Sequence, residues 1–471
     1  MRMTKVICTI GPASENEETL TKMCKAGMNV ARLNFSHGSH EEHQKKINLI
    51  KQIREKLNLP IAIMLDTKGP EYRIKTFENK KIFLNEGDTF IFTTEDVVGN
   101  QERVSVNYSH LVDELSVGDK ILVNNGLVIF KVKELKKTEA ICEVVAGGEL
   151  SDRKSMNFPN KVLKQVYLSD TDKEDLLFGI QNDVDFVAAS FVSTKQDVQD
   201  VRDFLDANGG QEIDIIAKIE NRSGVDHVEE ICQVADGIMI ARGDLGVEIP
   251  FMELPSVQKY LIKKCRLLGT RVITATEMLE SMIHNPRPTR AEISDVANAV
   301  YDGTSAVMLS GETASGKYPV EAVANMVEIA EYTEQSIDYE RRYKTTDFEI
   351  KNNLDAISHS TCSMAIDVKA KCIVVSSISG RTARMVSRFR CPVPIIGTTT
   401  SEKVWRKLNL SWGVKPMMCE EFSSMEVMFY HAFRQAKEVF KLKKGDNVVL
   451  TGGQINGKTG NTNVIKVESA V

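Results

Sequence analysis

Eight short apolar runs recur along the first two thirds of the chain, and their spacing constrains the fold more than any other feature. The runs are rich in Val, Ile, Ala and Met, and their ends lie about 24–34 residues apart in all but one case. In chain order they are Lys5–Gly11, Asn29–Ser36, Ile61–Gly69, Val184–Val192, Ile213–Glu220, Gly237–Asp244, Arg271–Met278 and Ala306–Glu312. Near-continuous hydrophobicity of this length is typical of strands that are buried on both faces.

The segments between the runs have the apolar spacing of amphipathic helices. Asn16–Ala26 and His40–Leu57 carry apolar residues three and four positions apart. Ser39 precedes the second segment and two acidic residues fall in its first turn, which is a typical helix start. Strand and helix alternating eight times predict a parallel (β/α)8 TIM barrel, which belongs to the α/β class.

The one irregular interval locates an inserted domain. About 120 residues separate Gly69 from Val192, roughly 90 more than one strand–helix unit needs. Within this excess, Lys81–Phe92 and Lys120–Glu134 alternate between apolar and polar residues and are separated by Gly, Asn and Asp turn signals. We therefore expect a small β-barrel domain after the third strand. Because barrel active sites lie at the carboxyl ends of the strands, a hinged lid is the favoured interpretation, and an insertion without a role is the alternative.

The last part of the chain predicts a third domain. A helix over Pro319–Tyr332 leads into the charged stretch Asp338–Asn353, which we interpret as a linker. Beyond it, three strand-like runs alternate with helical segments, as in a small open α/β sheet. These runs are Cys372–Ser376, Pro394–Thr398 and Asn447–Thr451. The predicted domains are a barrel over 1–70 and 159–342, a lid over 71–158 and a C-terminal α/β domain over 343–471.

Composition excludes several classes of partner. Sixty Lys and Arg against 65 Asp and Glu give a net charge of −5 without a basic block, which argues against nucleic acid. No apolar run approaches the roughly 18 residues that span a bilayer, and the apolar core near the N-terminus is too short for a signal peptide. The nine cysteines are scattered and lack a CxxC pair, which indicates reduced thiols and predicts a cytoplasmic protein.

Polar side chains gather at the ends of five runs, where a barrel builds its active site. They are Arg32, Asn34 and Ser36; Asp66 and Thr67; Lys218 and Glu220; Arg242 and Asp244, which flank Gly243; and Thr276. Alternation along a strand predicts that the first three share one face. A single charged residue at a strand end is as often a structural ion pair as a functional group, but five such ends at one barrel mouth favour a site.

The residue types indicate phosphoryl transfer. Glu220 and Asp244 suit a hard divalent cation, Mg²⁺ or Mn²⁺, held by two carboxylates, substrate and water. Arg32, Arg73 and Lys218 supply positive charge for phosphate oxygens. Such a site works by positioning and charge neutralisation. A second oxygen cluster, suited to a monovalent cation, comprises Asn34, Ser36, Asp66 and Thr67.

A motif near the C-terminus resembles a nucleotide-binding loop but lacks its context. Residues 452–459 match the pattern G-x-x-x-x-G-K-T after the strand-like run Asn447–Thr451. The motif requires a following helix whose N-terminus faces the phosphates, and too few residues follow to provide one. We therefore reject this interpretation, although a glycine-rich loop with free N–H groups could still bind some anion.

Six long motifs strongly resemble those of the pyruvate kinase family, in the family's order and over the whole chain. They are MNVARLNFSHGSHEEH (28–43), LDTKGPEYR (65–73), AKIENRSGV (217–225), MIARGDLGVEIP (239–250), TATEMLESMIHNPRPTRAE (274–292) and MLSGETASGKYP (308–319). The resemblance implies transfer of a phosphoryl group from phosphoenolpyruvate to ADP, giving pyruvate and ATP. It also implies a cytoplasmic homotetramer that depends on Mg²⁺ (or Mn²⁺) and K⁺.

The resemblance also implies roles for particular residues. Glu220 and Asp244 match the divalent-metal ligands, and Lys218 matches the lysine that neutralises the moving phosphoryl group. Thr276 matches the threonine associated with enolate protonation, and Arg32 the arginine that binds the substrate phosphate, with Gly243 beside the substrate. Further implied groups follow. The nucleotide contacts of the family are matched by His37, Arg73 and Asn34. Its potassium ligands are matched by Asn34, Ser36, Asp66 and Thr67, and Glu71 is the residue type found in potassium-dependent members. A loop that binds a phosphorylated effector is resembled by Ser377, Ser379, Gly380, Arg381 and Thr382, with 457–463 beside it.

Several positions depart from the family pattern. Asn124 and Asn125 stand where the lid usually carries two Asp residues, and Ser305 stands where Asp is usual. Thr171 occupies the place of a family lysine in a loosely aligned stretch, and Glu277 replaces a Gln. These departures leave the metal ligands, the lysine and the substrate arginine in place. Two alternatives to an active member of the family stay open. One is a weakly active regulatory paralogue, and the other is a magnesium-dependent barrel lyase that acts on an enolate-forming acid.

Overall fold

The computed structural model describes residues 1–159, 161, 166–453 and 462–471. Eight parallel strands form a closed barrel, and their order around it follows the chain. The barrel strands are β1 (Lys5–Thr9), β2 (Val30–Asn34), β3 (Ala62–Asp66), then, after nine strands of the inserted region, β13 (Phe186–Ala189), β14 (Asp214–Ile219), β15 (Gly237–Ala241), β16 (Arg271–Ala275) and β17 (Ala306–Leu309). All eight predicted runs contain one barrel strand, so the predicted TIM barrel is confirmed. Each run extends beyond its strand into the loops where the polar residues lie.

Helices surround the barrel and complete its strand–helix units. In chain order they are α1 (Glu17–Ala26), α2 (His40–Leu57), α3 (Leu111–Glu114, in the inserted region), α4 (Asp170–Gln181), α5 (Lys195–Ala207), α6 (Arg222–Asp226), α7 (Val228–Val234), α8 (Arg242–Glu248), α9 (Leu254–Leu268), α10 (Arg290–Asp302), α11 (Gly311–Ala314) and α12 (Pro319–Gln335), with 3₁₀ turns at Phe251–Glu253 and Glu280–Ile283. The predicted start of α2 is confirmed: Ser39 caps the helix, and Ser39 and Glu42 form a reciprocal capping box. No helix in the described part of the chain is long and apolar enough to cross a membrane.

The barrel strands are buried on both faces, which explains their continuous hydrophobicity. One set of side chains, including Ile7, Met64 and Met239, fills the interior of the barrel. The intervening residues, such as Val6 and Ile63, pack outward against the helices. Leu410 belongs to the interior cluster although it comes from the C-terminal domain, so that domain closes one end of the barrel.

The inserted region forms a curled sheet with its own core. Its strands are β4 (Tyr72–Arg73), β5 (Lys81–Leu84), β6 (Thr89–Thr93), β7 (Arg103–Ser105), β8 (Lys120–Val123), β9 (Val128–Leu135), β10 (Glu139–Ala146), β11 (Gly148–Ser151) and β12 (Ser155–Asn157). Seven of them form one sheet in the order β4-β12-β8-β9-β10-β6-β7, and β11 pairs with β5. An antiparallel bridge between Ile74 and Val106 joins the two edge strands, which closes the sheet into a small barrel. Phe90, Phe92 and Phe130 lie fully buried at its centre.

The C-terminal domain is an open five-stranded sheet flanked by helices. The strands are β18 (Cys372–Ser376), β19 (Ile395–Thr399), β20 (Val414–Met418), β21 (Asn447–Gly453) and β22 (Thr462–Ser469), in the order β20-β19-β18-β21-β22. The helices are α13 (Tyr339–Thr345), α14 (Asn353–Asp367), α15 (Arg381–Arg388), α16 (Glu402–Leu408) and α17 (Met425–Phe440). The α/β class of this domain is confirmed, while the exact limits of the three domains stay predictions.

The sequence interpretation missed parts of this domain. The stretch that we interpreted as a linker contains α13, which begins because the Asp338 side chain accepts a hydrogen bond from the Arg341 N–H. Strand β20 was not predicted; its proline and lysine residues give it no continuous apolar run. Strand β22 is the antiparallel edge strand, and its mixed burial obscured it in the sequence.

The aromatic centre of the lid generates a stability prediction. Phe92→Ala removes a fully buried ring that contacts Phe90 and Phe130, so we expect a loss of about 3–5 kcal/mol in the stability of the lid. Hydrogen exchange should then quicken in β6, β9 and β10 while the barrel strands keep their protection. Phe83→Ala is the matched control, because Phe83 in the same region is 60% exposed. Equal exchange in the two variants would contradict the prediction.

Candidate active site

A buried lysine joins three barrel strands at the mouth of the barrel. Lys218 Nζ lies 3.1 Å from Asp66 Oδ1 and 3.0 Å from Glu220 Oε1, and it donates a hydrogen bond of 2.7 Å to Ser190 Oγ. Burial opposes the ammonium form, but the carboxylates of Asp66 and Glu220 outweigh burial and raise the pKa of Lys218. The lysine is therefore a permanent cation with fixed direction.

Arg32 is anchored beside this lysine through Asp66. Arg32 Nε donates to Asp66 Oδ2 at 2.6 Å, and Nη1 donates to Thr9 Oγ1 at 2.8 Å. Burial would raise the pKa of Asp66, but the charges of Arg32 and Lys218 lower it, so the carboxylate stays ionised. No described residue takes a hydrogen bond from Arg32 Nη2, which leaves that edge of the guanidinium for a ligand.

Glu220 and Asp244 form the carboxylate pair predicted for a divalent cation. Glu220 is fully buried; its Oε2 accepts a 2.5 Å hydrogen bond from the Phe191 N–H, whereas Oε1 has no hydrogen-bond geometry to any described group despite its closeness to Lys218. Burial raises the pKa of Glu220 to about 7; Lys218 opposes this rise and Asp244 adds to it. A buried, under-coordinated carboxylate oxygen beside a second carboxylate fits a cation. Within the described residues, no group of three or more His, Cys, Asp or Glu could hold a metal.

Thr276 is held in a strained turn directly after β16. Thr276 and Glu277 both have positive φ, 67° and 52°, which is costly for a β-branched residue such as threonine. Thr276 Oγ1 accepts a 2.8 Å hydrogen bond from the Gly243 N–H and donates one of 2.6 Å to the Ala275 carbonyl. The hydroxyl is therefore fixed against the first turn of α8, which carries Asp244.

Arg242 forms hydrogen bonds to the backbone of the same turn. The sequence interpretation assigned no role to this residue. Its guanidinium donates to the carbonyls of Thr276 and Glu277 at 2.6 and 3.0 Å. Its Nη1 donates to both carboxylate oxygens of Asp295, at 2.8 and 2.7 Å. The backbone angles that create the turn left no sequence signal, although Arg242 itself stands at a strand end.

The structure brings together most of the predicted monovalent-cation cluster. Asn34 and Asp66 are register partners on β2 and β3, and Thr67 follows directly, its Oγ1 accepting a hydrogen bond from the Ser190 N–H at 3.2 Å. Ser36 donates its backbone N–H to Asn34 Oδ1 at 3.1 Å. The prediction that Ser36 shares a strand face with Arg32 was wrong, because β2 ends at Asn34 and Ser36 lies exposed in the following turn.

Ser190 was also missed as a member of the site. It follows β13, accepts a hydrogen bond from Lys218, and donates to the Thr67 carbonyl at 2.6 Å. It therefore links the lysine to the oxygen cluster. Its position at the end of the fourth run was the available signal.

A cavity of about 360 Å³ separates the lid from the barrel mouth. The lid contributes Arg73, whose guanidinium pairs with Glu71 through Nε–Oε2 at 2.8 Å and Nη2–Oε1 at 2.7 Å. The barrel contributes Asp244 and Glu248, and the carboxamides of Asn124 and Asn125 also line the cavity. His37 does not line it; the residue lies exposed in the turn after β2.

The departures from the family pattern fall in different places. Asn124 and Asn125 form the tip of the β8–β9 hairpin with φ of 57° and 56°, a conformation that asparagine tolerates well. Thr171 lies exposed in the first turn of α4. Ser305 precedes β17 at the opposite end of the barrel, where its hydroxyl accepts hydrogen bonds from the Val272 N–H and Arg390. Only the two asparagines therefore lie at the cavity.

The predicted effector loop lies in the C-terminal domain, in the segment that joins β18 to α15 and in the first two residues of α15. Gly380 adopts a left-handed conformation, with φ of 73°, at the start of α15. Thr382 Oγ1 is 2.7 Å from Thr462 Oγ1, which ties the loop to β22, and Arg381 is exposed. Ser377 and Ser379 lie in the connecting segment. Most of the rejected nucleotide-loop motif (454–459) and of the neighbouring stretch 457–461 lies outside the described residues.

Fold and site together define a class of protein: a TIM-barrel enzyme whose mouth concentrates buried cations and an acidic pair beneath a lid. Comparison with known proteins defines the family. Residues 1–323 match the pyruvate kinase barrel domain and residues 355–468 match the pyruvate kinase alpha/beta domain. The chain belongs to the pyruvate kinase family, and it is a phosphotransferase.

Individual relatives agree with this assignment over nearly the full length. A pyruvate kinase of Clostridium acetobutylicum is 46% identical, with 99% of each chain covered. A pyruvate kinase of Geobacillus stearothermophilus is 47% identical over 99% of this chain and 80% of its own. The crystal structure of a pyruvate kinase from Cryptosporidium parvum superposes with a TM-score of 0.95 at 39% identity, covering 99% of this chain and 96% of that one.

A titratable contact between lid and barrel generates a pH prediction. Asn157 Nδ2 on β12 donates a 2.9 Å hydrogen bond to Glu248 Oε1 on α8, and burial raises the pKa of Glu248 from 4.5 to about 7. Between these values the folded state binds more protons than the unfolded state, so the contribution of Glu248 to stability is lost as the pH rises from 4.5 to 7. That loss is at most about 3 kcal/mol.

Glu248→Gln isolates this effect, because the amide oxygen still accepts the hydrogen bond from Asn157 but does not titrate. The free energy of unfolding, measured with urea between pH 4.5 and 8, should fall more steeply with pH in the wild type than in the variant. Parallel curves would show that Glu248 is not the titrating group.

Proposed function

We propose that this barrel mouth transfers the phosphoryl group of phosphoenolpyruvate to ADP, the reaction that membership of the pyruvate kinase family implies. The observation that carries the proposal is the buried network of Lys218, Arg32 and Asp66 at the carboxyl ends of the barrel strands. A cationic site of this kind, sheltered beneath a lid, suits a highly anionic substrate, because charges act more strongly where water is excluded.

Lys218 and Arg32 have different proposed roles in phosphoryl transfer. Asp66 and Glu220 keep Lys218 charged and aimed, so its Nζ stabilises negative charge on the oxygens as the group moves. Arg32 offers the Nη2 edge that its anchors leave free and binds the phosphate in the ground state. The same anchors prevent either side chain from following the departing group.

Glu220 and Asp244 are the proposed holders of Mg²⁺ (or Mn²⁺). The unpartnered Glu220 Oε1 and the neighbouring Asp244 fit a cation that is usually held by one or two carboxylates together with substrate oxygens and water. When bound, the ion supplies charge neutralisation between the two anionic substrates. Asn34, Ser36, Asp66 and Thr67 supply oxygens for K⁺, of which Asn34 and Asp66 are adjacent in register.

Thr276 is proposed to direct the proton that converts the enolate into pyruvate. Its hydroxyl proton is committed to the Ala275 carbonyl, and one lone pair accepts from the Gly243 N–H. The remaining lone pair can orient a water molecule, which gives one proton to the substrate carbon and recovers a proton from solvent. Arg242 is a positioning residue in this scheme, because it holds the carbonyls of the strained turn.

The nucleotide is proposed to bind between barrel and lid, with Arg73, Asn34 and His37 as contacts. Asn34 and His37 do not line the cavity and are proposed from the family resemblance alone. Arg73 lines the cavity, and its pairing with Glu71 keeps the guanidinium at the cavity wall. The carboxamides of Asn124 and Asn125 reduce the negative charge on the lid side of the cavity relative to the usual pair of Asp residues. We infer that the lid over 71–158 closes on the bound nucleotide.

The oligomeric state is proposed from the family resemblance alone. The location and the effector site are proposed from the resemblance together with features of the structure. We propose a homotetramer. All nine cysteines are free thiols, which supports a cytoplasmic location. The loop of Ser377, Ser379, Gly380, Arg381 and Thr382 is proposed to bind a phosphorylated effector, because the exposed Arg381 stands at the start of α15, where backbone N–H groups are free.

Lys218→Met tests the proposed reaction, since it removes the charge at nearly constant length. We expect kcat for pyruvate formation from phosphoenolpyruvate, ADP, Mg²⁺ and K⁺ to fall by about 10²–10³-fold, the usual cost of losing one such electrostatic group. Lys75→Met, which removes an exposed lysine of the lid, is the matched control. Absence of turnover in the wild type would contradict the proposal. A wild-type rate far below that of its relatives would favour the weakly active paralogue. Turnover that does not depend on ADP would favour the lyase.

The cation sites generate a separate prediction. Replacing K⁺ by Na⁺ at constant ionic strength should lower the rate at least about tenfold, because the smaller ion fits the oxygen cluster poorly. Thr67→Val removes one proposed ligand and should lower the rate in K⁺ buffer while leaving the Mg²⁺ concentration for half-maximal rate unchanged. Equal rates in Na⁺ and K⁺ would refute the monovalent site without affecting the proposed phosphoryl transfer.

A further inference from the structure

Five arginine side chains surround a small cavity between the barrel and the C-terminal domain, at the end of the barrel opposite the active site. The barrel supplies two of them and the C-terminal domain three: Arg266, Arg271, Arg384, Arg388 and Arg390. The cavity measures about 10 Å³, roughly room for one water-sized particle, and Ser305 and Ser411 also line it. So many like charges facing one small space need compensation.

Three of these arginines have carboxylate partners elsewhere. Arg271 forms an ion pair with Asp214, and Arg384 Nη1 lies 3.6 Å from the same residue and 3.1 Å from Asp236. Arg388 Nη1 lies 3.3 Å from Asp355. In Arg384 and Arg388 these contacts are made by Nη1, and Nε has no hydrogen-bond partner.

The other two arginines have no carboxylate partner among the described residues. Arg390 is only 4% exposed; it donates to the carbonyls of Ser387 and Gly303 and, at 2.9 Å, to Ser305 Oγ, and it lies 4.9 Å over the ring of Trp412. Arg266 makes one long hydrogen bond of 3.4 Å to Thr346. Burial lowers the pKa of both guanidinium groups, as expected where an anion is missing.

Unsatisfied donors concentrate at the same place. The Nε groups of four cavity arginines are buried without a hydrogen-bond partner, and so is Ser411 Oγ, whose residue is 1% exposed. The four are Arg266, Arg384, Arg388 and Arg390. Buried donors are almost always paired, so such a cluster indicates that a hydrogen-bond acceptor belongs there.

We propose that this cavity is a binding site for a phosphate-like oxyanion that bridges the barrel and the C-terminal domain. Guanidinium groups bind tetrahedral oxyanions through paired N–H donors, and a single oxyanion offers acceptors in several directions. Because the cavity has room for only about one water-sized particle, a phosphate group requires the long arginine side chains to move apart, and the body of a metabolite stays outside the interior. The source is therefore either free inorganic phosphate or a phosphate group that enters from the solvent side.

This site is separate from the two phosphate sites already proposed. Lys218 and Arg32 lie at the other end of the barrel strands. The effector loop at Ser377–Thr382 ends in the first two residues of α15. Arg384 and Arg388 lie further along this helix, one helical turn apart, on the side that meets the barrel.

Equilibrium dialysis with radiolabelled inorganic phosphate tests the proposal, in chloride-free buffer without divalent cations. Ser305→Asp places a carboxylate where Ser305 Oγ now contacts Arg390, so it should fill the anion site from within the chain. We expect this variant to bind one equivalent of phosphate per chain less than the wild type, or to bind that equivalent at least about tenfold more weakly. Arg381→Ala and Lys218→Met, which alter the other two sites, should retain the equivalent.

Arg266→Met is a second variant that keeps the test valid if Ser305→Asp misfolds. Arg266 is only partly buried and pairs with no carboxylate among the described residues, so its replacement leaves no buried carboxylate without a partner. It should also weaken the same equivalent. A competing sugar phosphate separates the two sources: displacement of the label from wild type and Arg381→Ala alike indicates a metabolite phosphate, and no displacement indicates inorganic phosphate. Equal phosphate binding by the wild type and both cavity variants would overturn the proposal.

Discussion

The charge network at the barrel mouth depends on one lysine that stays charged inside the protein. A buried ammonium is unfavourable by itself, and Lys218 persists as a cation because Asp66 and Glu220 compensate it from two neighbouring directions. Asp66 in turn needs Arg32 to stay ionised. Each charged side chain in this network therefore keeps its neighbour ionised. The side chains meet because the parallel strands that carry them all end at the same end of the barrel.

The strained turn at Thr276 shows a second constraint of this kind. A threonine with positive φ is stable only when its surroundings hold it, and here Arg242 and the first turn of α8 do so. The same helix carries Asp244 and, at its other end, Glu248, which contacts the lid. One short helix thus contacts the proposed metal site, Thr276 and the inserted β domain, so it positions these three elements relative to one another.

The sequence predicted the barrel well, because strands buried on both faces leave an unmistakable run of apolar residues. It predicted Lys218 and Glu220 for the same reason, since a charge at the end of such a run is conspicuous. It failed where geometry departs from strand alternation: Ser36 lies beyond the end of β2. It also missed contacts made by tertiary structure alone, such as Ser190 with Lys218, and β20, whose lysine and proline interrupt the expected pattern.

Leu410 has a consequence for how the molecule can be divided. It is a residue of the C-terminal domain, yet it completes the apolar interior of the barrel. The barrel's packing is therefore not self-contained: one of its interior positions is filled from a domain that follows it in the chain. Excising residues 343–471 would remove the Leu410 side chain and open this end of the barrel interior to water. The boundary between the barrel and the C-terminal domain is thus a shared hydrophobic contact, and a substitution on either side of it changes the packing of both.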